Sequence, residues 1–395
     1  MTTAHGSLGS LVIDADAHIL EPLDLWEHYL DPTFRDRAIR IKTDDLGLEY
    51  LEVNGRMSKR NSGGTLFIVG GYGKSLGELM PRPDRTYAGC APLGAMDPKE
   101  RVQFMDQEGV DASVLYPSLA LLWEPEVSDV VLCDAYCRAY NRWIVDFCAD
   151  SNDRLIPIAH ISLGDVDLAL KEIERTVKDG ARGAFVAPHT ITRKPHGHPD
   201  HDAFWAKAEE LGVSIGVHPT IEPNPPMAVA HFDGMRGQGW YFTVMSAVAV
   251  QAAFTTMFQY GTFEKFPGLK FIVLESSAGW ISAWLERMDG KFESIGRFSK
   301  RMRRHPSELF KSNCWISCDP DEKTVPAIID LVGDDRFFWA SDYPHSEAKP
   351  GVMDDLREMV ALLKPEAKAK LLGQNVADLY GIKGRRPLAQ EPVDA

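Results

Sequence analysis

The sequence lacks the features that direct a chain to a membrane or to nucleic acid. No uninterrupted apolar run approaches the ~20 residues that span a bilayer, and the first ten residues, "MTTAHGSLGS", have neither the basic nor the apolar region of a secretory signal. Lys and Arg number 43 against 57 Asp and Glu, a formal net charge of −14. The basic run "SKRMRRH" at 299–305 is typical of a solvated helix end. We therefore expect a soluble, cytoplasmic protein that binds neither nucleic acid nor a membrane.

Cysteine is scarce as well, with six among 395 residues. Cys133 and Cys137, like Cys314 and Cys318, have three residues between them, so neither pair has the C-x-x-C spacing of zinc or redox sites. Without a secretory signal, reduced and mostly buried thiols are expected. What the chain has in quantity is apolar residues, 44% of the total, which is enough for a sizeable core.

Eight short, nearly continuous apolar runs recur along the chain. Such runs are typical of strands buried on both faces of a parallel sheet. They cover residues 10–16, 112–117, 155–161, 182–188, 213–218, 269–275, 314–319 and 336–342.

Helical patterns separate most of these runs. In "DVDLALKEIERTVKDGARG", Asp165 is a cap, apolar residues recur at spacings of three and four, and Gly180 ends the pattern. Alternation of strand and helix predicts a single (β/α)₈ TIM-type barrel over residues 1–383, followed by a tail at 384–395. Two insertions, at about 32–95 and 219–262, each follow a strand and so should lie over the carboxyl-terminal face. Within the first insertion Asn54-Gly55 predicts a hairpin turn.

Polar side chains end several predicted strands at that face. Asp16 and His18 end the first strand, His218 the fifth, Glu275 the sixth and Asp342 the eighth. Each alone has an ordinary explanation, such as a surface imidazole or a helix cap. Together, imidazoles and carboxylates at one barrel mouth favour a site for Zn²⁺, Mn²⁺ or Fe²⁺, and the i, i+2 spacing places Asp16 and His18 on one side of an extended segment.

Other polar residues near the strand ends are weaker candidates. Asp14, about 7 Å deeper along the first strand at ~3.3 Å per residue, is expected to support the site or to lie in the barrel interior. His345 is expected on the last strand-to-helix loop, where it contacts substrate or has only a turn role. A role for His160 or His189 is less favoured, and a metal role for the loop cluster is disfavoured because no fixed element presents it: His196, His198 and His201.

Four motifs resemble the amidohydrolase superfamily, in particular the branch of aminocarboxymuconate semialdehyde, resorcylate-type and carboxyvanillate-type decarboxylases. They are "VIDADAHILEP", "GVHPT", "ASDYPHSE" and "LLGQNVADLYGI". The resemblance extends over about residues 10–383. It implies one divalent metal ion, with zinc expected and manganese or iron as alternatives, held by Asp16, His18, His218 and Asp342. The fourth strand ends in "AFVAPH" without the bridging Lys or Glu of a two-metal site, which favours a single ion.

The sequence departs from this family at the sixth strand, where "VLESSAGW" places Glu275 at the position of the family's His. A carboxylate there can act as an acid or base, hold the ion or orient water. The leading hypothesis is decarboxylation of a small carboxylated aromatic or enolic substrate, with Asp342, Glu275 and His345 as catalytic candidates. The alternative is hydrolysis of an ester, lactone or amide by a metal-activated water. A non-catalytic ligand-binding barrel is a minor alternative.

The insertions also suggest a cover and an interface. Their aromatic residues are expected either to cover a flat substrate or to pack as a lid; these residues are Phe67, Tyr72, Trp240, Tyr241 and Phe242. The apolar helix expected at 243–260 favours a homodimer.

Overall fold

A computed structural model describes residues 10–221, 239–296 and 301–383. Its main sheet has eight parallel strands, each hydrogen-bonded to the next along the chain. These are β1 (Ile13–Ile19), β5 (Ala112–Pro117), β6 (Leu155–His160), β7 (Gly183–Val186), β8 (Ser214–Val217), β9 (Lys270–Val273), β10 (Cys314–Cys318) and β11 (Phe337–Trp339). Seven of the predicted runs contain one of these strands, and the first run, 10–16, overlaps β1, which extends to Ile19.

The sheet closes where the segment after β11 meets β1. The Asp342 amide donates to the Asp16 carbonyl at 3.1 Å, and the His18 amide donates to the Tyr343 carbonyl at 2.7 Å. Closure brings the carboxyl ends of the first and last strands together, so polar residues more than 320 positions apart become neighbours. The prediction of a (β/α)₈ barrel is confirmed.

Helices connect the strands and pack around the sheet. Their limits follow the predicted signals: Asp165 accepts a hydrogen bond from the Leu168 amide at the start of α5, and Gly180 ends that helix. The helices are α1 (Leu25–Tyr29), α2 (Pro98–Glu108), α3 (Ala120–Trp123), α4 (Val130–Cys148), α5 (Val166–Asp179), α6 (Asp202–Leu211), α7 (Gly239–Gln259), α8 (Thr262–Lys265), α9 (Ile281–Ser294), α10 (Pro306–Asn313), α11 (Val325–Val332), α12 (Val352–Val360), α13 (Pro365–Ala369) and α14 (Asn375–Tyr380).

The first insertion folds into a small antiparallel sheet of β2 (Arg40–Thr43), β3 (Glu49–Val53) and β4 (Arg56–Met57). Asn54 and Gly55 connect β3 to β4 with φ of 52° and 71°. Two positive φ angles match the expected hairpin turn. In the second insertion, α7 begins at Gly239, while residues 222–238 and the tail at 384–395 lie outside the described part of the chain.

The core has an outer layer between sheet and helices and an inner layer within the barrel. Inside, Ile13 and Ala15 pack with Tyr116 and Phe185, and α14 adds Tyr380 at the end where the strands begin. Five of the six cysteines are buried, Cys90 is partly buried, and none forms a disulfide, which agrees with the expectation of reduced thiols. Within the described ranges, no helix is long and apolar enough to cross a membrane.

Candidate metal centre

The first strand presents Asp16 and His18 to the interior through a local irregularity. The register between β1 and β5 shifts between Asp14 and Ala17, as in a β-bulge. Both side chains are buried, and Asp16 Oδ1 lies 3.6 Å from His18 Nε2. The structure therefore brings together the two residues that the i, i+2 spacing selected, on a strand that extends further than the predicted 10–16.

Asp14 lies apart from these two and connects β1 to the segment after β11. Its Oδ1 accepts the Ser341 amide at 3.0 Å, and its Oδ2 accepts the Ser341 hydroxyl. The Asp16 amide also approaches Asp14 Oδ1, at 3.4 Å. Burial raises the pKa of Asp14 to about 6, although these hydrogen bonds oppose the rise. This is the supporting position expected from the sequence.

His218 and Glu275 enter the same space from β8 and β9. His218 Nε2 lies 2.9 Å from Glu275 Oε2 and 3.7 Å from Asp16 Oδ1. Glu275 Oε2 also lies 3.8 Å from His18 Nε2. The carboxylate that replaces the family's His therefore points at the two imidazoles.

Asp342 and His345 complete the cluster from the segment after β11. Asp342 Oδ1 lies 3.4 Å from His18 Nε2 and 2.7 Å from His345 Nδ1. The His345 ring stacks on His18 with centroids 4.0 Å apart, and its Nε2 lies 2.9 Å from Ser118 Oγ. All three residues predicted to be catalytic thus lie in one cluster, with Ser118 as an additional polar neighbour.

Backbone strain accompanies two of these carboxylates. Glu275 and Asp342 have φ of 39° and 56°, in the left-handed region that non-glycine residues rarely adopt. Ser277, two residues after Glu275, has φ of 55°. Strain of this kind persists where the surrounding structure holds it, and it is concentrated at functional sites.

Hydrogen bonds to main-chain carbonyls orient both interior imidazoles. His18 Nδ1 lies 2.8 Å from the Pro117 carbonyl, and His218 Nδ1 lies 2.8 Å from the Pro219 carbonyl. A carbonyl only accepts, so each Nδ1 carries the proton and donates it. In the neutral rings each Nε2 then has a lone pair that faces the carboxylates, which is the tautomer that a metal ligand requires.

The atoms that face one another here are buried, and none makes a hydrogen bond of good geometry, although His218 Nε2 lies 2.9 Å from Glu275 Oε2 and Asp342 Oδ1 lies 2.7 Å from His345 Nδ1. They are both Asp16 carboxylate oxygens, His18 Nε2, His218 Nε2, Glu275 Oε2 and Asp342 Oδ1. Buried polar atoms are normally satisfied, so such a group needs an explanation. Imidazole nitrogens and carboxylate oxygens are ligands for borderline divalent ions, and one ion would satisfy all of these atoms. The residues present fit the metal that the sequence implies.

The electrostatics of the cluster favour the binding of a cation. Burial and the neighbouring carboxylates raise the pKa of Asp16 and of Asp342 well above the usual range. Burial lowers the pKa of His218, but the charges of Glu275 and Asp16 outweigh it and raise that pKa to about 9. Three carboxylates this close repel one another, and a cation removes that repulsion.

A cavity of about 410 Å³ lies over the cluster. Glu275, Asp342 and His345 face it from the barrel. Its other walls come from both insertions and from the segments after β5 and β11. The apolar lining residues are Ile68, Val69, Leu121, Leu122, Pro219, Ile221, Met245 and Ala249, and the polar ones are Arg60, Ser118, Thr220, Thr243, Ser246, Ser346 and Glu347. None of the five aromatic residues expected as a cover lines the cavity among the residues described, and the Phe242 side chain lies outside that description. Phe67 is instead buried, and Tyr72 packs on Tyr343.

The remaining histidine candidates have other neighbours. His160 Nε2 lies 2.6 Å from Glu124 Oε2, and both side chains are buried. His189 Nδ1 lies 3.4 Å from Thr220 Oγ1. His196 and His201 are buried in the loop before α6, where each contacts a main-chain carbonyl. Neither of the metal-type clusters found in the described residues includes any of these or His198.

Comparison with known proteins assigns the family. The family described as "Amidohydrolase" matches residues 13–382. This chain belongs to the amidohydrolase family. The match covers the whole barrel, so the family suggested by the four motifs is confirmed.

Curated relatives of this amidohydrolase are decarboxylases. The decarboxylase orsB of Emericella nidulans is 28% identical over 262 residues, which cover 62% of this chain and 76% of the relative. The gamma-resorcylate decarboxylase of Rhizobium sp. (strain MTP-10005) is 26% identical over 264 residues, with the same coverage.

Solved structures share the fold. The amidohydrolase map2389c from Mycobacterium avium subsp. paratuberculosis K-10 has a TM-score of 0.77 at 20% identity, over 95% of this chain and 100% of that one. The 5-carboxyvanillate decarboxylase from Novosphingobium aromaticivorans DSM 12444 has a TM-score of 0.67 at 19% identity, over 96% and 99%. That enzyme was solved with manganese and 4-hydroxy-3-methoxy-5-nitrobenzoic acid.

Proposed function

We propose that this amidohydrolase is a metal-dependent decarboxylase of a small carboxylated aromatic or enolic substrate. The observation that carries the proposal is the cluster of buried nitrogen and oxygen atoms that face one another beneath a cavity with both apolar and polar walls. Such a cavity suits a flat organic acid, with a few polar groups to fix its orientation. The decarboxylases among the relatives support the same activity.

Asp16, His18, His218 and Asp342 are the proposed ligands of a single divalent ion. When bound, the ion supplies positive charge that holds the anionic oxygens of a substrate. Zinc is the ion expected from the residues, while manganese accompanies the 5-carboxyvanillate decarboxylase. Nitrogen and oxygen ligands suit both ions.

Asp342 and His345 are the proposed proton carriers. In decarboxylation the bond between carbon and carboxylate breaks, its electron pair stays on the substrate carbon, and that carbon takes a proton as CO₂ leaves. His345 Nδ1 lies 2.7 Å from Asp342 Oδ1, and both residues border the cavity. A proton shared by this pair is within reach of a substrate above them. Glu275, which also borders the cavity, is the alternative proton donor.

Hydrolysis of an ester, lactone or amide is the second candidate function. The observation that favours it is Glu275, because a carboxylate in the place of the family's His can accept a proton from water. Either reaction takes a small molecule as substrate, in keeping with the cavity volume of about 410 Å³. The homodimer and the cytoplasmic location stay predictions.

An assay of metal-loaded protein distinguishes the two reactions. We expect CO₂ release from a panel of hydroxybenzoates that includes 2,6-dihydroxybenzoate and 5-carboxyvanillate, and no cleavage of chromogenic esters or lactones. Asp342→Asn should abolish the release. Ester or lactone cleavage without CO₂ release would contradict the proposal in favour of hydrolysis, and full turnover by the variant would contradict the role of Asp342.

A further inference from the structure

The carboxylate of Glu275 lies where a ligand atom belongs. Around an ion with bonds of about 2.0–2.2 Å, ligand atoms at angles of about 90–120° to one another are separated by roughly 2.8–3.8 Å. Glu275 Oε2 lies 2.9 Å from His218 Nε2 and 3.8 Å from His18 Nε2. The pairs among the four expected ligands have comparable separations, such as 3.4 Å from His18 to Asp342 and 3.7 Å from His218 to Asp16. By distance, Glu275 is indistinguishable from them.

The backbone fixes this position. The Glu275 amide donates to Ser317 Oγ on β10 at 3.1 Å. The loop that follows is held by Glu322, whose carboxylate accepts the amides of Ala278 at 2.9 Å and Gly279 at 3.0 Å. Together with the positive φ of Glu275, these contacts direct its side chain toward the imidazoles. A ligand presented by a fixed backbone needs little reorganisation to bind an ion.

The Glu275 carboxylate can act as a metal ligand or as a proton carrier, and the burial of its Oε2 atom distinguishes these two roles. A proton carrier needs the atom that exchanges the proton to face the substrate. The Glu275 side chain is 29% exposed as a whole, but Oε2 is buried and faces the imidazoles, 2.9 Å from His218 Nε2. Oε2 is therefore suited to an ion below the cavity floor rather than to a substrate above it. His345, which also borders the cavity, is left as the nearer proton carrier.

We propose that Glu275 is a fifth ligand of the single ion, in addition to Asp16, His18, His218 and Asp342. The inference rests on the ion of the proposed function. The complete set contains two imidazole nitrogens and three carboxylates. Catalytic zinc is commonly held by three protein ligands, whereas oxygen-rich sets of higher coordination number suit manganese. Glu275 thus favours Mn²⁺ relative to Zn²⁺ in this chain.

Metal affinity tests the assignment without reference to turnover. Competition of the purified protein with a chelating dye gives the dissociation constants of Mn²⁺ and Zn²⁺ for the wild type and for Glu275→Gln. Because loss of a group that only supports a ligand costs about 10- to 100-fold in affinity, loss of a direct ligand should cost Mn²⁺ at least about tenfold. The loss for Zn²⁺ should be smaller.

Glu347→Gln is the matched control. Glu347 also borders the cavity, and burial together with the negative charge of nearby Glu275 raises its pKa, but it belongs to neither metal-type cluster in the described residues. Its loss removes the same charge without removing a ligand. If Glu275→Gln bound Mn²⁺ as tightly as Glu347→Gln, the assignment of a fifth ligand would be overturned while the four-ligand site stood. Failure of the wild type to bind any ion would instead overturn the proposed function.

A crystal structure of the manganese-loaded wild type gives the answer even if the variant does not fold. We expect Glu275 Oε2 at about 2.0–2.2 Å from the ion. A separation beyond about 3 Å, with water between the two, would overturn the assignment.

Discussion

The two sides of the barrel mouth carry similar residues in different arrangements, a cluster of several facing groups on one side and a single pair on the other. Within β1 and after β8, β9 and β11, buried imidazoles and carboxylates form one cluster in which several such groups face one another. At the end of β6, His160 faces Glu124 from the segment after α3, and His160 Nε2 lies 2.6 Å from Glu124 Oε2. The difference is that His160 Nε2 pairs with one carboxylate, whereas His18 Nε2 and His218 Nε2 each face more than one carboxylate at 2.9–3.8 Å. A histidine at a strand end becomes a metal-ligand candidate where several such groups converge.

The paired side has a structural role. His160 and Asn141 exchange main-chain and side-chain hydrogen bonds of 2.7 and 3.0 Å, and the His160 ring stacks on Phe185 with centroids 4.5 Å apart. Glu124 belongs to the segment after α3, so the ion pair fastens that segment to the barrel. The clustered imidazoles and carboxylates on the other side are available to bind an ion.

The largest effect should come from removing an imidazole of the cluster. His218→Ala should lose its bound metal and reduce kcat/KM by about a thousandfold or more, because the ion supplies several kcal/mol of charge stabilisation in the transition state. Metal analysis and CO₂ release measure both effects. His160→Ala is the control and should keep its metal. Equal metal loss in the two variants would break the distinction between the two sides.

Breaking the ion pair of His160 and Glu124 should instead lower the free energy of unfolding. Glu124→Gln removes one charge of a buried pair, and such changes cost about 3–5 kcal/mol of unfolding free energy. Urea denaturation of metal-loaded protein gives the difference from the wild type. The variant should still bind one metal ion per chain. Loss of metal with unchanged stability would place Glu124 in the site.

Asp14 belongs neither to the metal-ligand candidates nor to the His160–Glu124 pair. It supports a segment that carries a ligand without facing the ion itself. Asp14→Asn leaves the Ser341 hydroxyl without its carboxylate acceptor, at a cost of about 1–3 kcal/mol in unfolding free energy. Because the affected segment carries Asp342, metal affinity should also fall, by about 10- to 100-fold. Chelator competition measures the fall. A loss of affinity as complete as that of His218→Ala would make Asp14 a ligand.

The smallest effect concerns the pH dependence of the stability that the His160–Glu124 pair contributes. Burial raises the pKa of Glu124, but the charge and hydrogen bond of His160 outweigh it, so the pKa lies below the usual value of 4.5. The pair therefore stabilises the folded state fully above about pH 4.5 and loses that contribution as the pH falls through the lowered pKa. The stability gap between wild type and Glu124→Gln should narrow in acid. A gap that stays constant across this range would show that His160 does not bind the Glu124 carboxylate.

The sequence predicted the barrel and the residues that converge, because both depend on local patterns and on the rule that parallel strands end at one face. It did not predict Ser118 beside His345, since 227 residues separate the two and only the folded chain brings them together. The register shift after Asp14 was also missed, because a bulge leaves no mark in the apolar pattern. The pairing of His160 with Glu124 was not predicted either, because Glu124 follows a helix of only four residues, which is too short for a clear periodic pattern.

Metal content tests the central claim most directly. After purification with metal in excess and removal of loosely bound ions, the wild type should contain close to one divalent ion per chain and His218→Ala almost none. A wild type that holds no ion, even after reconstitution with Zn²⁺, Mn²⁺ or Fe²⁺, would contradict the account.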